Sequence, residues 1–199
     1  MFTIGLDFDG VLSRIDTLVE IGMLDVLNRR IPRERARYEF LIDDGHATHD
    51  EYWEVIHQIC RKDEYIPYMT PVEGMQTYLP RVLNVFHPTK ATVITARRHP
   101  EGSGLAERWL KKLSINLPVI GVNTDKESRC KSEFVSGYDV FVDDDPENLL
   151  VMAKIVPHRY LFRWHYNKND PVPEGVIPVD SWRELHDHIC AIARTHAPS

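Results

Sequence analysis

The chain has little of what marks secreted or membrane proteins. Its only cysteines, Cys60, Cys130 and Cys190, are too widely spread for a disulfide framework or a zinc cluster, so reduced thiols are expected. No apolar run approaches the roughly 20 residues that cross a bilayer, and we expect no membrane partner. The first predicted strand begins almost at Met1 and leaves no room for a signal peptide, which predicts a cytoplasmic location.

A basic cluster is also missing. The chain carries 30 acidic and 24 basic residues, a net charge of −6, and no long run of lysine or arginine. Because duplex binding depends on clustered phosphate contacts, we expect no nucleic-acid polymer as a partner, whereas a local pocket for one small phosphate is compatible with these numbers. A hydrophobic share of 43% and a length of 199 residues suit a soluble enzyme with one substantial core, or a core with a small insert.

The most informative stretch is Asp7-Phe8-Asp9-Gly10, which follows an apolar run at residues 2–6. If that run is a buried strand, Asp7 and Asp9 lie at the rim of a sheet, and Gly10 permits a turn that most residues resist. Two ionised carboxylates about 4 Å apart repel by roughly 1–4 kcal/mol, so the pair needs a cation, and oxygen ligands suit Mg²⁺. A plain polar turn could have the same sequence, so other motifs must decide.

Two later β-branched runs also end in polar groups. Residues 91–95 end in the hydroxyl of Thr95, and residues 138–142 are followed by Asp143 and Asp144. Parallel α/β sheets form their sites at the carboxyl ends of the strands. The three runs together predict one site that contains acids and a hydroxyl.

Strands and helices alternate over most of the chain, which predicts an α/β fold with a mostly parallel sheet of about five strands. The strand candidates are residues 2–6, 91–95, 118–122, 138–142 and 159–163. Pro100 to Gly104 are expected to form a loop before a helix at residues 105–113. Ser181 and Glu184 form a capping box that opens the last helix.

Residues 13–85 break the alternation and have helical patterns throughout. Thr48 and Glu51 form a capping box, and the pattern of residues 71–85 predicts a further helix. An insertion over the strand edge could exclude water and recognise the part of a substrate beyond the reacting group. The predicted division is a core of residues 1–12 and 86–199 and an inserted helical cap of residues 13–85.

These motifs resemble those of the haloacid dehalogenase-like (HAD) phosphohydrolases. That family's first motif is matched by Asp7, Asp9 and Gly10, its second by Thr95, and its acidic fourth by Asp143 and Asp144. The third motif is a lysine ahead of the fourth. The resemblance implies a Rossmann-like three-layer core with a small helical cap inserted after the first strand.

Within that superfamily the chain is similar to the 5'(3')-deoxyribonucleotidase and 5'-nucleotidase type C branch. The similarity is carried by VITAR at residues 93–97, ERWLKKL at 107–113, LFRWHYN at 161–167 and SWRE at 181–184. Ser13 stands where that branch usually has an acidic residue, which leaves the fine substrate specificity open.

The resemblance also implies roles for individual residues. Asp7 would be the nucleophile, and Asp9 the general acid and then the base. Thr95 and a lysine would hold the phosphate oxygens, and Lys131 is preferred over Lys126 because its spacing to the acidic motif is closer to that of relatives. The cofactor would be Mg²⁺, held by Asp7, Asp9 (through its backbone carbonyl), Asp143 and Asp144.

If the substrate is a nucleotide, its base needs an aromatic face and a few polar edges. The predicted substrate-binding residues are Gly10, Ala96, Arg97, Phe40, Tyr52 and Trp53, with Tyr38 as a further aromatic of the cap. Each aromatic taken singly also fits an ordinary core position.

Three functions stay open at this point. The leading hypothesis is a Mg²⁺-dependent 5'-nucleotidase that hydrolyses deoxyribonucleoside or ribonucleoside monophosphates through an aspartyl-phosphate. The second is a phosphatase of the same fold for another small phosphate, such as a sugar phosphate. The third is a phosphate-binding regulatory module without turnover, which has no physical need for Asp9 as a proton shuttle. A small phosphorylated substrate is the expected partner, and a homodimer is compatible with the sequence.

Overall fold

The computed structural model describes residues 1–86, 89–98, 100–124, 127 and 129–196. Its strands, in chain order, are β1 (Phe2–Leu6), β2 (Ser13–Arg14), β3 (Thr70–Pro71), β4 (Thr89–Arg98), β5 (Val119–Asn123), β6 (Val140–Asp143), β7 (His158–Phe162) and β8 (Val176–Val179). Its α-helices are α1 (Ile15–Leu27), α2 (Tyr38–Asp43), α3 (His49–Cys60), α4 (Met75–Val85), α5 (Glu101–Lys112), α6 (Pro146–Val151) and α7 (Trp182–His196). Short 3₁₀ turns cover Arg33–Arg35, Asp63–Tyr68 and Lys131–Phe134.

Six of the strands form one sheet in the order β5-β4-β1-β6-β7-β8. Every described pairing in this sheet is parallel, and β1 lies at its centre between β4 and β6. The predicted parallel α/β architecture is confirmed, with six strands where about five were expected. The additional strand, β8, contains Pro178, which lacks a backbone donor and is tolerated because β8 lies at the edge of the sheet.

Apolar side chains cover both faces of the sheet. The larger cluster contains Leu6 and Val142 from the central strands together with the fully buried indoles of Trp109 and Trp182. The smaller cluster contains Phe141 and packs under α6 and the 3₁₀ turn at Lys131–Phe134. Alternate residues of one strand thus face opposite clusters, which makes the core a three-layer structure.

Helix α5 begins earlier than its sequence pattern indicates. Residues 101–104 were expected to be loop, but they form its first turn. Gly102 allows this turn to approach β4, because a Cβ at this position would lie 2.9 Å from Cβ of Arg97. The glycine therefore permits close packing of helix on strand and does not mark a loop.

The insertion after β1 enters and leaves through the small antiparallel ladder of β2 and β3. Helices α1 and α3 pack against each other, and α3 begins at the predicted capping box of Thr48 and Glu51. Helix α4, in contrast, packs against α7 and β4. The division of the chain at residues 12 and 85 stays a prediction, and this packing favours an exit from the cap at β3.

None of the described helices is long and apolar enough to cross a membrane. The three cysteines form no disulfide with one another.

Candidate active site

The central strands bring the acidic motifs together. Leu6 of β1 is in register with Val142 of β6, and the backbone N–H of Asp7 donates to the carbonyl of Val142 at 2.9 Å. Asp7 and Asp143 therefore leave the sheet side by side, and Asp144 follows directly. Carboxylate oxygens of Asp7, Asp143 and Asp144 all lie within 4.8 Å of one another. We call these three residues the aspartate trio.

Lys131 lies among the carboxylates of the trio. Its ammonium is 2.8 Å from Oδ1 of Asp7 and 2.9 Å from Oδ2 of Asp143, and only 4% of the side chain is exposed. Burial opposes its charge, but Asp143 and Asp7 outweigh this effect and raise the pKa of Lys131 above its ordinary value. The ammonium is therefore a fixed positive charge next to Asp7. Lys126, the alternative lysine, falls outside the described residues.

Burial makes the charges of the trio costly. The pKa of Asp7 lies well above its ordinary value, mainly because the residue is buried. Lys131 lowers this pKa, whereas the charges of Asp143, Asp144 and Asp9 raise it further. Burial likewise raises the pKa of Asp143 to about 6. One lysine does not fully balance three buried acids at this distance. A hard divalent cation would supply the missing charge, and the all-oxygen donor set suits Mg²⁺.

The surroundings of Asp144 fix its carboxylate. Gly10 has a φ of +81°, and a Cβ there would lie 2.3 Å from Oδ2 of Asp144, so only glycine fits. The hydroxyl of Tyr166 donates to the same oxygen, and Nδ2 of Asn167 donates to the backbone carbonyl of Asp144 at 2.7 Å. Burial, followed by the charge of Asp144, raises the pKa of Tyr166 well above its ordinary value, which keeps its hydroxyl a donor.

The loop after β7 also holds the turn that carries the first motif. Nε1 of Trp164 donates to the carbonyl of Gly10 at 2.7 Å, and the Trp164 ring stacks on Tyr166 at an angle of 11°. Nε1 of Trp182 donates to the next carbonyl, that of Val11, at 2.9 Å. Two indoles therefore determine the path of the backbone directly after Asp9.

Asp9 is placed apart from the trio and pairs with Arg97. Nε and Nη2 of Arg97 each lie 2.8 Å from a different carboxylate oxygen of Asp9, which is a bidentate pair. The guanidinium is buried, and its carbon lies 4.8 Å from the centre of the Phe8 ring. Arg97 also lines a cavity, and its predicted contact with substrate stays a prediction. The metal-ligand group found among the described side chains does not include Asp9, whose predicted ligand is its backbone carbonyl.

Thr95 and Ala96 lie on β4 at the same rim. Thr95 is fully buried, and its hydroxyl oxygen accepts from the backbone N–H of Arg97 at 3.2 Å. The strand was expected to end at Thr95, but it continues to Arg98 with a shift of register against β5. This irregularity turns Ala96 toward the cap, where it lines a cavity.

A cavity of about 300 Å³ lies between the cap and the rim of the sheet. Its lining includes Asp9, Arg97 and Ala96 from the core and Tyr38, Tyr52, Trp53, Ile15, Leu18 and Ile56 from the cap. Most of this wall is aromatic or aliphatic, and its charged members include Asp9 of the first motif and its partner Arg97. The cavity can therefore hold the apolar body of a small molecule, and Arg37, which both lines it and contacts Asp144, connects it to the trio.

The predicted aromatic contacts separate into two groups. Tyr52 and Trp53 line the cavity with their rings 5.4 Å apart and nearly perpendicular, and Tyr38 packs edge-on against Tyr52 at 5.0 Å. Phe40 is not part of the cavity lining. Its ring instead lies under the guanidinium of Arg35 at 4.1 Å, so the structure does not bring Phe40 to the predicted site.

Arg37 was not predicted as a site residue. This residue of the cap extends to the core, where Nη1 lies 2.8 Å from Oδ2 of Asp144. Individual roles were likewise not predicted for Trp164, Tyr166 and Asn167, although the resemblance of residues 161–167 pointed to that loop. Arg37 carries no local signal, because its partner is 107 positions away in the chain.

The fold and the acidic rim define the class of the protein. A protein from Clostridium difficile described as a candidate phosphatase shares 15% identity over 94% of this chain and 97% of its own, with a TM-score of 0.69. A predicted phosphatase from Clostridium acetobutylicum shares 12% identity over 96% of this chain and 98% of its own, with a TM-score of 0.66. A HAD-superfamily hydrolase of subfamily IA from Geobacter sulfurreducens shares 18% identity over 95% of this chain and 96% of its own, with a TM-score of 0.60. At these identities the likeness concerns the fold, which is that of the HAD hydrolases.

The sequence then gives the family. Residues 1–196 match the model of the family described as 5' nucleotidase, deoxy (pyrimidine), cytosolic type C protein. The chain belongs to this family, and it is a HAD-type phosphatase. No curated protein matches the chain. HAD phosphatases generally use Mg²⁺, and the buried trio has the oxygen ligands that this ion needs.

Proposed function

We propose that the protein is a Mg²⁺-dependent 5'-nucleotidase that hydrolyses nucleoside monophosphates. The observation that carries the proposal is that two features are linked. A buried trio of aspartates with Lys131 is joined through Arg37, which contacts Asp144, to a cavity lined mainly by aromatic and aliphatic side chains. A phosphate group suits the trio with Lys131, and a flat base suits the wall formed by Tyr52 and Trp53. The predicted cytoplasmic location belongs to the same proposal.

The first step would be carried by Asp7. Its carboxylate attacks phosphorus and forms an aspartyl-phosphate, while the bond to the leaving oxygen breaks. Lys131, held between Asp7 and Asp143, stabilises the charge on the phosphoryl oxygens together with the hydroxyl of Thr95. Bound Mg²⁺ would offset the negative charges of the carboxylates and phosphate, with the aspartate trio and the carbonyl of Asp9 as its ligands.

Asp9 would handle the proton. It donates a proton to the leaving oxygen of the nucleoside in the first step, and it takes one from the water that opens the aspartyl-phosphate in the second. Its position suits this role, because Asp9 lines the cavity and follows the nucleophile Asp7 by two residues in the chain. Arg97 donates to both oxygens of the Asp9 carboxylate, so one of these hydrogen bonds must open when Asp9 takes up the proton that it transfers.

A panel of phosphomonoesters tests this function. Deoxyribonucleoside and ribonucleoside 5'-monophosphates, sugar phosphates and p-nitrophenyl phosphate would be assayed with Mg²⁺ and with EDTA. We expect kcat/KM for nucleotides to exceed that for sugar phosphates about tenfold or more, and activity to vanish in EDTA. The reverse order would favour the sugar-phosphate alternative. Binding of nucleotides in adequate Mg²⁺ without turnover would favour a regulatory module.

Two variants sharpen this panel. Trp53→Ala removes an aromatic from the cavity and should lower kcat/KM for nucleotides by about tenfold or more, with sugar phosphates affected less. Phe40→Ala is the matched control, because Phe40 is an aromatic of the same cap that lies under Arg35. Equal losses on both substrate classes, or in both variants, would contradict a base-binding role for Trp53.

A further inference from the structure

Arg37 is the one described cation that the cap brings to the aspartate trio. It precedes α2 in an extended conformation, with φ −133° and ψ 154°, and its guanidinium reaches across to Asp144 of the core. The guanidinium carbon also lies 3.6 Å from the centre of the Tyr166 ring. A second link holds the same part of the cap, because the His165 ring lies 3.1 Å from the carbonyl of Glu34.

The position of Arg37 conflicts with a bound divalent cation. Its Nη1 lies 2.8 Å from an oxygen of Asp144, a member of the only metal-ligand group found among the described side chains. Positive charges a few ångströms apart repel each other strongly. The described charges around the trio are those of Asp7, Asp9, Asp143, Asp144, Lys131, Arg97 and Arg37. With all groups ionised, acids exceed bases by one, and a divalent cation would turn that balance positive.

The burial of the three basic side chains indicates which of them can move away from a bound divalent cation. The side chains of Lys131 and Arg97 are 4% and 5% exposed, and each is fixed by contacts to the core. The side chain of Arg37 is 21% exposed and is supplied by an inserted segment. Arg37 also lines the cavity while it contacts Asp144, so its guanidinium lies next to both the trio and the space available to a bound molecule.

We propose that Arg37 competes with the divalent cation for the carboxylate of Asp144 and, when displaced, donates to the phosphate group of the substrate. Guanidinium groups are well suited to phosphate, since they offer several donors in one plane. In the metal-free protein the cap is then held to the core by an ion pair. In the loaded protein the same residue becomes a phosphate contact. The second half of this proposal rests on the proposed phosphatase function, and the first half does not.

The competition can be measured without turnover. Mg²⁺ alone would be titrated into wild type and Arg37→Gln by calorimetry. We expect the variant to bind Mg²⁺ about tenfold more tightly, because a nearby positive charge has been removed. Arg35→Gln is the matched control: Arg35 is two residues away, pairs with Asp44 at 2.6 Å and lies over Phe40, so it has the same kind of contacts outside the site. Unchanged or weaker Mg²⁺ binding in Arg37→Gln would overturn the competition.

The phosphate contact has its own test. With Mg²⁺ saturating, inorganic phosphate should bind Arg37→Gln about tenfold more weakly or worse, while Arg35→Gln should match wild type. Tighter metal binding and weaker phosphate binding in one variant is a pattern that general damage to the fold does not produce. Equal phosphate affinity in wild type and Arg37→Gln would overturn the phosphate contact.

A second variant separates charge from structure. Arg37→Lys keeps the positive charge but loses the planar contact with Tyr166, and we expect its Mg²⁺ affinity to stay near that of wild type. Tighter Mg²⁺ binding in both Arg37→Lys and Arg37→Gln would show that charge is not the cause and would overturn the competition. Absence of turnover on every phosphomonoester would count against the proposed function, whereas the Mg²⁺ titrations would still decide the role of Arg37.

Discussion

The core and the cap use charged residues in opposite ways. At the rim of the core, Asp7, Asp143 and Lys131 are buried, and burial raises the pKa of both acids. On the surface of the cap, Arg29 and Glu51 form an exposed pair at 2.6 Å. There the hydrogen bond from Arg29 first, and that from the backbone of Thr48 second, lower the pKa of Glu51 to about 2.

The contrast shows which charges serve stability and which serve chemistry. An exposed pair remains hydrated, and its charges support the conformation that brings them together. Buried acids with raised pKa values oppose folding in their ionised form, so their presence in a core calls for another explanation. Their presence is explained if the protein catalyses a reaction that needs ionised carboxylates next to a cation.

The largest effect is expected for Asp7→Asn. Turnover should fall by about 10⁴-fold or more, because the amide oxygen is a poor nucleophile. The thermal midpoint of the metal-free protein should stay unchanged or rise, since a buried charge has been removed. Steady-state kinetics and a thermal melt measure the two quantities. Activity near the wild-type level in this variant would contradict the assignment of Asp7 as the nucleophile.

The next effect concerns Arg97, which orients Asp9. Arg97→Gln should lower the rate on alkyl phosphates by about 100-fold, because poor leaving groups depend on a positioned acid. The rate on p-nitrophenyl phosphate, whose leaving group needs little protonation, should fall much less. Arg108→Gln is the control, since Arg108 forms an exposed pair with Asp63. An equal loss on both substrates would indicate damage to the site in place of lost orientation.

Magnesium should stabilise the core. At a concentration about 100 times its Kd, the ion should raise the free energy of unfolding by about 2.7 kcal/mol, which corresponds to roughly 5–10 °C in the midpoint for a chain of this size. Asp144→Asn should lose most of this increase, because one ligand of the trio is gone. A shift of equal size in wild type and Asp144→Asn would place the ion elsewhere.

The smallest effect belongs to the cap. The pKa of Glu51 is lowered from its ordinary 4.5 to about 2, so its ionised form stabilises the folded protein above pH 4.5. This stabilisation is lost as the pH falls toward 2. Glu51→Gln should therefore melt slightly below wild type at pH 7, and the two curves should converge in acid. Glu54→Gln, on the same helix but bonded to Gln58, should change the midpoint less at pH 7.

Local patterns predicted much of this molecule. Runs of β-branched residues located the strands that carry Asp7, Thr95 and Asp143, and parallel topology then placed these residues at one rim. Strand β8 was missed because Pro178 argues against a strand unless the strand is known to lie at an edge. The start of α5 was missed because glycine is typical of loops, and the close approach of Gly102 to Arg97 is visible only in the structure.

Contacts between distant segments could not be predicted in this way. Nothing near Arg37 indicates that it reaches Asp144, and nothing near Asp9 indicates that both of its oxygens face Arg97. Such ion pairs depend on how distant segments pack together in the fold. The periodicity of one segment does not predict this packing. The family resemblance supplied roles for the motif residues, but it did not supply the ion pairs that orient them.

The indole of Trp164 makes the site optically accessible. It donates to the backbone of Gly10 and stacks on the phenol that contacts Asp144, so the surroundings of this fluorophore change with whatever occupies that carboxylate. Intrinsic emission can therefore follow events at the rim without any label, and Trp164→Phe would identify the part of the signal that comes from this ring.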